Sequence, residues 1–560
     1  MFLSVAIYLG WFYFFPQPNP TASQIMVGAA TPVTNRTASS SENALLSSRV
    51  PFSTVKFKNL ISAASVTIET DNYEAVFANQ GAVLISYELK KYPNRQTGQP
   101  VQLVNSDPTH PKPFSLEDSS LPNVNQVFFE VEGLSKTLSK NEETQLTFRT
   151  AIADGVVLEK KFFFKNGSYL IGFEITLGQK GQGELAANPL YVAWADTLGP
   201  EENTGTQSRV LGYRVATLTG DHVDSEGAKK SQEITEIPAP ISWTALANQF
   251  FVAALIPDPS NGGAGVKIVR DYNVFREPTL DNPNPGLDLK TFAPRPLLEF
   301  VGEPLKPGES FQRKGQVFLG PQDYFLLTSL NLKLENVVDF GFFGKISVYM
   351  LKLLRWFFSW AHNWGLAIIF LSVAVKLLLW LPTHHSYKSM YITQQKMKEL
   401  QPKIESLKRK YSDDKAKLNQ ETTALYQTAG INPLGGCLPM VLQIPVFFAL
   451  YSTLSHSIEL RSASFIWLKD LTLKDPTFVL PLLMGVSMIV QQRVSGQAAA
   501  QAAGQQKFMM WFFPIILTVF SFQWPSGLLI YWVVTNLLSI VQQKVVNREI
   551  KREKKKKEEA

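Results

Sequence analysis

The sequence predicts a multi-domain membrane protein, with an all-β domain on one side of the membrane, an α-helical transmembrane bundle, and a helical hairpin on the other side. Charge is the first of three observations behind that prediction. Residues 1–343 hold 28 basic and 35 acidic side chains, whereas residues 344–560 hold 26 and 12. A net −7 and a net +14 thus merge into the +7 of the 560-residue chain. Second, residues 53–335 run in short period-2 stretches broken by Gly, Pro, Asn and Asp, the pattern of a β-sandwich. Third, the long apolar runs cluster in the basic part. A single cysteine excludes a disulfide framework and a Cys-rich zinc site, and six scattered histidines give no reason to expect a metal.

Taken in order, residues 1–15 are apolar and aromatic but shorter than the roughly 20 residues of a spanning helix. No basic region precedes them and no clean cleavage site follows, so they read as an uncleaved anchor with a few starting residues missing. Residues 16–52, rich in Pro, Ser, Thr, Asn and Ala, read as a flexible linker. The β domain follows over 53–335, through runs such as Ala82–Leu89, Val156–Phe164 and Tyr169–Leu177. Across 340–362, Lys345, Lys352, Arg355, Ser359 and His362 form a narrow polar stripe on an otherwise apolar helix. That suits a helix lying in the interface plane, with one end of a tilted span as the alternative.

Membrane spans are expected at 363–382, 431–455, 477–492, 508–523 and 525–542, which with the anchor makes six, five of them in the core. Pro439, Pro445, Pro481 and Pro514 interrupt them, as spans tolerate when neighbouring helices satisfy the freed carbonyls. Orientation follows from charge. Residues 384–430 carry nine Lys/Arg, the loop 493–507 two and the tail 544–560 eight, while the loop 456–476 has three balanced by three acids. The positive-inside rule places 383–430, 493–507 and the tail 543–560 in the cytoplasm, and the β domain and 456–476 outside. Within 383–430, Met390, Met397, Leu400, Ile404, Leu407 and Tyr411 make one helical seam, Ser412–Asp414 a turn, and Leu418 and Leu425 begin a second seam: a helical hairpin with a kink expected at Pro402.

Catalytic and nucleotide-binding signatures are absent: no GxxxxGK[ST] loop, no GxGxxG after a strand, no HExxH, no GxSxG. Gly262–Gly265 reads as a loop, His384 and His385 as polar residues past a membrane end, and Cys437 as a small packing residue. Lys376 is the informative side chain, because an ionisable group inside a span is costly and functional by default. It stands six residues before Pro382, about 9 Å of helix rise, so snorkelling toward the cytoplasm competes with a functional role. Ser372 one turn away, Gln443, Thr518, Ser521, Thr535 and Asn536 add polar groups that tilt the reading toward a wet, positive cavity in the cytoplasmic half. Two spans of about 16 residues cover roughly 24 Å, short of the roughly 30 Å hydrocarbon core, so local thinning is expected. The basic tail suits anionic lipid first and rRNA phosphates second, with no sequence-specific nucleic-acid recognition.

Asn432-Pro433-Leu434-Gly435-Gly436-Cys437, followed by Pro439, Gln443 and Pro445, resembles the third span of the YidC family of membrane-protein insertases. Gln401–Ile404, Asp413–Lys415, Glu459–Arg461, Pro525–Gly527, the basic tail, and Phe318–Pro321 with Asp323 and Tyr324 resemble that family in the same order, over essentially the whole chain. The resemblance implies a bacterial inner-membrane insertase and chaperone, multi-pass, with a periplasmic β-supersandwich, a cytoplasmic C-terminus and no cofactor, metal or catalysis. It implies as partners nascent inner-membrane proteins, Sec translocon components, membrane lipids and, through the tail, the ribosome. The family's groove opens to cytoplasm and lipid and carries a central cation, which falls on Lys376, with Ser372, Gln443 and Trp532 at groove positions. The usual residue there is arginine. Lysine keeps the charge but loses the bidentate fork. The short basic segment usual before the first span is also missing.

The expected mechanism has a hydrophobic substrate segment sliding along Ile444, Phe447, Phe513 and Phe520 while its polar end enters the groove, drawn to Lys376 when acidic. Burial of apolar surface, at roughly 25 cal/mol per Å², drives release into lipid without nucleotide. Met390 and Met397 on the hairpin would receive the substrate first, though a packed seam is the commoner use of methionine. A secondary transporter would explain Lys376 and the broken spans but calls for a repeat between halves, and none is found. An enzyme reading would place catalysis in the outer domain, whose histidines are His110 and His222.

Overall fold

The computed structural model describes residues 63–559, apart from 96, 105–110, 118–120, 122, 153–154, 196, 200–212, 230, 277–285, 413, 431–437 and 496–503. The expected anchor and linker, His110, and the segment 432–437 lie outside the described residues, as does most of the loop 493–507.

Three sheets make the outer domain. The largest has nine strands, with Phe251–Pro257, Ser310–Pro321 and Leu170–Gln179 adjacent at its centre. Two five-stranded sheets accompany it, one built on Ser65–Glu69, Tyr73–Ala78 and Val83–Pro93, the other on Ala264–Arg276 and Gly286–Phe300. Tyr73–Ala78 alternates strictly between buried and half-buried residues, as a strand with one covered face must. Trp243–Ala247 and Phe251–Pro257 are buried throughout, which requires a layer on each side of the large sheet. One apolar cluster unites residues of all three sheets, including Phe77, Phe114, Phe162, Trp194 and Trp243.

A buried cation is built into this core. On the strand Val156–Lys165, Lys160 shares the inward parity of Leu158, Phe162 and Phe164 and is fully buried. Its ammonium donates to the carbonyls of Gly81 (2.7 Å), Phe114 (2.8 Å) and Ala82 (3.4 Å). Burial pushes this lysine down to about 7, while the three carbonyls favour its charged form.

Helices take over after the last strand. Asp323 caps α1 (Tyr324–Ser329) by accepting from the amides of Phe325 and Leu326. In α2 (Gly344–Ala361) the face of Ser347, Met350, Leu351 and Leu354 is buried, while Ile346, Tyr349, Trp356 and Trp360 are exposed. Asn363 caps α3 (Trp364–Leu378), and a 64° bend at Leu379 leads into α4 (Trp380–Lys410). The expected span 363–382 is thus shared between two helices, and α4 runs through Pro402. Asp414 caps α5 (Lys415–Thr428), completing the hairpin. Then come α6 (Leu438–His456), α7 (Val479–Val494), α8 (Gly504–Ser521) and α9 (Ser526–Glu559). Between α7 and α8, an added Cβ at Gly485 would collide with the Thr518 side chain, so the glycine permits their close approach. No glycine or proline follows Gly527, so α9 continues through the basic tail as one helix. Among the described residues, one helix is long and apolar enough to cross a membrane, Ser526–Glu553, or two if the bent α3–α4 pair counts as one span, and α7 is a shorter apolar helix.

The outer domain is fastened to the end of α6 and to the loop between α6 and α7. Arg95 forms an ion pair with Asp470 (3.0 Å) and donates to the Thr472 hydroxyl, and Gln249 donates to the Ser455 carbonyl. Arg461 lies over the Phe251 ring, and Arg355 of α2 lies over Phe325. That loop also holds the start of α9, whose Ser526 and Gly527 amides donate to Leu473 and Leu471. Glu459 is half-buried in this junction with its Oε1 atom enclosed, and desolvation and then Asp323 raise its carboxyl to about 7.

Candidate functional site

Lys376 sits in the last turn of α3 and is only 6% exposed. Its ammonium donates to the Ser539 hydroxyl of α9 at 2.8 Å and lies 5.6 Å from the centre of the Tyr387 ring on α4. The stem therefore turns into the bundle instead of snorkelling away. Ser539 donates its own proton to the Thr535 carbonyl (2.8 Å), which leaves its lone pairs facing the ammonium. The Tyr387 phenol interacts with Ser539 and with Gln491 of α7.

Ser539 belongs to a ladder. Tyr531, Thr535, Ser539 and Gln542 recur at spacings of 4, 4 and 3, which stacks them on one face of α9. Each end reaches a different helix. Gln443 of α6 donates to the Tyr531 hydroxyl. Gln542 exchanges hydrogen bonds with Thr383 of α4 and donates to the Trp380 carbonyl (3.0 Å). Eleven residues separate Tyr531 from Gln542, about 16 Å of helix rise, or roughly half of a hydrocarbon core. A neighbouring face of α9 carries Asn536, which donates to Ser487 of α7 (2.8 Å).

Of the residues expected in the groove, two meet this ladder. Lys376 meets its middle rung and Gln443 its outer one. Ser372 is fully buried and donates to the Ile368 carbonyl of its own helix (2.7 Å). Trp532 stands in an aromatic group with Phe447 (5.0 Å) and Trp524 (5.4 Å). Of the expected sliding surface, Ile444 and Phe520 are exposed and Phe447 is half-buried, while the Phe513 side chain lies outside the described set. Met390 departs from the expected receiving surface. It is buried with Tyr387 and Val546 at the root of the hairpin, because α9 continues alongside α4, whereas Met397 is half-buried. A His384–Glu549 contact (3.2 Å) and the Lys388–Glu553 ion pair (2.8 Å) flank that packing.

The family description "YidC periplasmic domain" matches residues 65–353, and "60Kd inner membrane protein" matches 356–555. This chain belongs to the YidC family. The membrane protein insertase YidC of Syntrophus aciditrophicus is 34% identical over 497 residues, covering 86% of this chain and 85% of the relative. That of Geotalea uraniireducens is 33% identical, with 88% of each chain covered. That of Geobacter metallireducens is 31% identical over 558 residues, covering 98% of this chain and 97% of the relative. The two matched regions give this YidC chain a β-rich periplasmic domain followed by a helical inner-membrane region.

Sequence reasoning missed Tyr387, Thr383, Tyr531, Ser539 and Gln542 as partners in the polar array. The four-residue spacing on α9 was the available signal. Of the histidines considered for catalysis, His222 is exposed and faces Asp224 at 3.2 Å. Among the described residues no group of three His, Cys, Asp or Glu side chains could hold a metal ion.

Proposed function

We propose that this chain inserts hydrophobic segments of nascent inner-membrane proteins, alone or with Sec translocon components, by easing their hydrophilic ends partway across the bilayer. The observation that carries this reading is the buried Lys376 ammonium, turned inward onto the polar face of α9. An ammonium held among helices attracts an acidic tail in a low-dielectric setting, where one charge contact is worth far more than in water. The ladder from Gln542 to Tyr531 would offer a passing tail successive hydrogen-bond partners over about half the membrane thickness, so no continuous pore is required. Ile444, Phe447 and Phe520, with Phe513, form the proposed apolar slide, and the transfer of apolar surface into lipid drives release. The β domain and loop 456–476 face the periplasm in this reading. The hairpin, loop 493–507 and the basic end of α9 face the cytoplasm, near anionic lipid and the ribosome.

The test is insertion of a short single-span protein with an acidic N-terminal stretch into liposomes containing the purified chain, without nucleotide. Lys376→Ala should slow insertion roughly tenfold, the scale of one partly desolvated charge contact. Lys376→Arg should retain most of the activity. Equal full activity in all three proteins would remove the charge from the mechanism.

A further inference from the structure

We infer that Ser539 is a positioning residue for Lys376, and that the seat it forms with Tyr387 sets the preference of the insertase for acidic over neutral hydrophilic tails. This rests on the insertion reading above and names what makes the charge selective.

The argument starts from the flexibility of lysine. Its four-carbon stem is long and mobile enough to carry the ammonium away from the bundle toward headgroups. Charge at residue 376 therefore does not guarantee charge inside the bundle. Something must hold it there, and two groups do. The Ser539 hydroxyl is oriented by its bond to the Thr535 carbonyl, so it meets the ammonium as an acceptor. On another side the Tyr387 ring supplies the negative face of an aromatic system at 5.6 Å. Both Ser539 and Lys376 are more than nine-tenths buried.

The seat leaves donors unspent. An ammonium has three N–H groups, and among the described residues it makes one hydrogen bond, to Ser539. A buried, ordered cation with free donors suits a carboxylate, because the cost of immobilising the stem has already been met. A neutral amide tail gains the ladder's hydrogen bonds but not this charge-assisted one. Removal of the Ser539 hydroxyl keeps the charge on the protein and releases it from the place where an acidic tail would meet it.

The test compares two short single-span substrates that differ only in carrying Asp and Glu, or Asn and Gln, in the translocated tail. Their insertion rates are measured in liposomes containing the full-length wild type, Ser539→Ala, Ser539→Thr or Lys376→Ala. The readout is the acidic-to-neutral rate ratio, which a purely structural defect would leave in place by slowing both substrates alike. Ser539→Ala should reduce the ratio several-fold, and Ser539→Thr, which can make the same bond to Thr535, should restore it. A wild-type ratio in Ser539→Ala, whether or not both rates fall, overturns the inference if Lys376→Ala loses the ratio. A wild-type ratio in Lys376→Ala itself overturns the charge reading on which the inference stands.

Discussion

Lys160 and Lys376 are both buried lysines, one in the β-domain core and one in the helical bundle, yet their surroundings differ in kind. Lys160 donates to three carbonyls from two separate stretches, Gly81–Ala82 and Phe114, so each of its N–H groups has an acceptor. Among the described residues, Lys376 has one hydroxyl and one ring face. A fully matched ammonium ties segments together and offers nothing to a newcomer. A partly matched one tolerates its burial less well and can still bind. Burial of charge alone therefore does not mark a functional site, whereas the count of unspent donors separates a structural cation from a receptive one.

The sharpest way to break this contrast is to remove each charge and measure stability. Lys160→Met keeps the stem volume but leaves three buried carbonyls facing a thioether. At about 1 kcal/mol for each abandoned group, the β domain should lose roughly 3 kcal/mol. Thermal or chemical denaturation of the full chain, followed by protease susceptibility of the β domain, would show it. An unchanged midpoint would mean that Lys160 does not bind its core together.

Parity made Lys160 legible in principle, since VVLEKKFFFK places it among Leu158, Phe162 and Phe164 on the inward face. Its acceptors were not, because they lie 46 to 79 residues away in turns. The same limit applied to the membrane site. Lys376 stood out as an interruption of an apolar run, and Gln443 as a polar residue in another. Ser539, 163 residues downstream, could be tied to Lys376 only once α3 and α9 were seen side by side. The sheets were readable from alternation and turn residues. The end of α3 was not, because the bend at Leu379 falls in an unbroken apolar stretch with Pro382 only three residues on. Met390 was expected on the seam of the hairpin, but the surface it packs on belongs to the helical extension of the tail.

A third ionisable group, the half-buried Glu459, lies between the two halves and tests the same rule with the opposite charge. Its Oε1 atom has no hydrogen-bond partner among the described residues, and Asp323 adds a second carboxylate nearby. Tyr92, Tyr169, Arg355 and Arg461 also surround this carboxyl, and the Arg95–Asp470 ion pair lies in the same junction. The carboxyl is raised from 4.5 to about 7, so the docked state holds a proton that an undocked one releases. The stabilising contribution is full below about pH 4.5 and is lost as pH rises through 7. Between pH 6 and pH 8 the docking equilibrium should weaken about tenfold. Hydrogen exchange of residues 92–95 and 249–251, corrected for the intrinsic pH dependence, should show this in the wild type. It should be flat with pH in Glu459→Gln. Flat protection in the wild type would mean that the carboxylate is fully compensated by its neighbours.

The smallest effect expected is on the stability of Lys376→Met, and it is the one that most directly separates the two lysines. The substitution removes one charge-assisted hydrogen bond, worth about 1.5–3 kcal/mol. It also removes the desolvation penalty of an ammonium, which is of comparable size or larger once the group is buried. Ser539 keeps its proton on the Thr535 carbonyl, so no buried donor is stranded. The two contributions should nearly cancel, leaving unfolding in detergent within about 1 kcal/mol of wild type while insertion of acidic-tailed substrates falls. A loss as large as that of Lys160→Met would place Lys376 among the structural cations and would leave the polar face of α9 without its receptive charge.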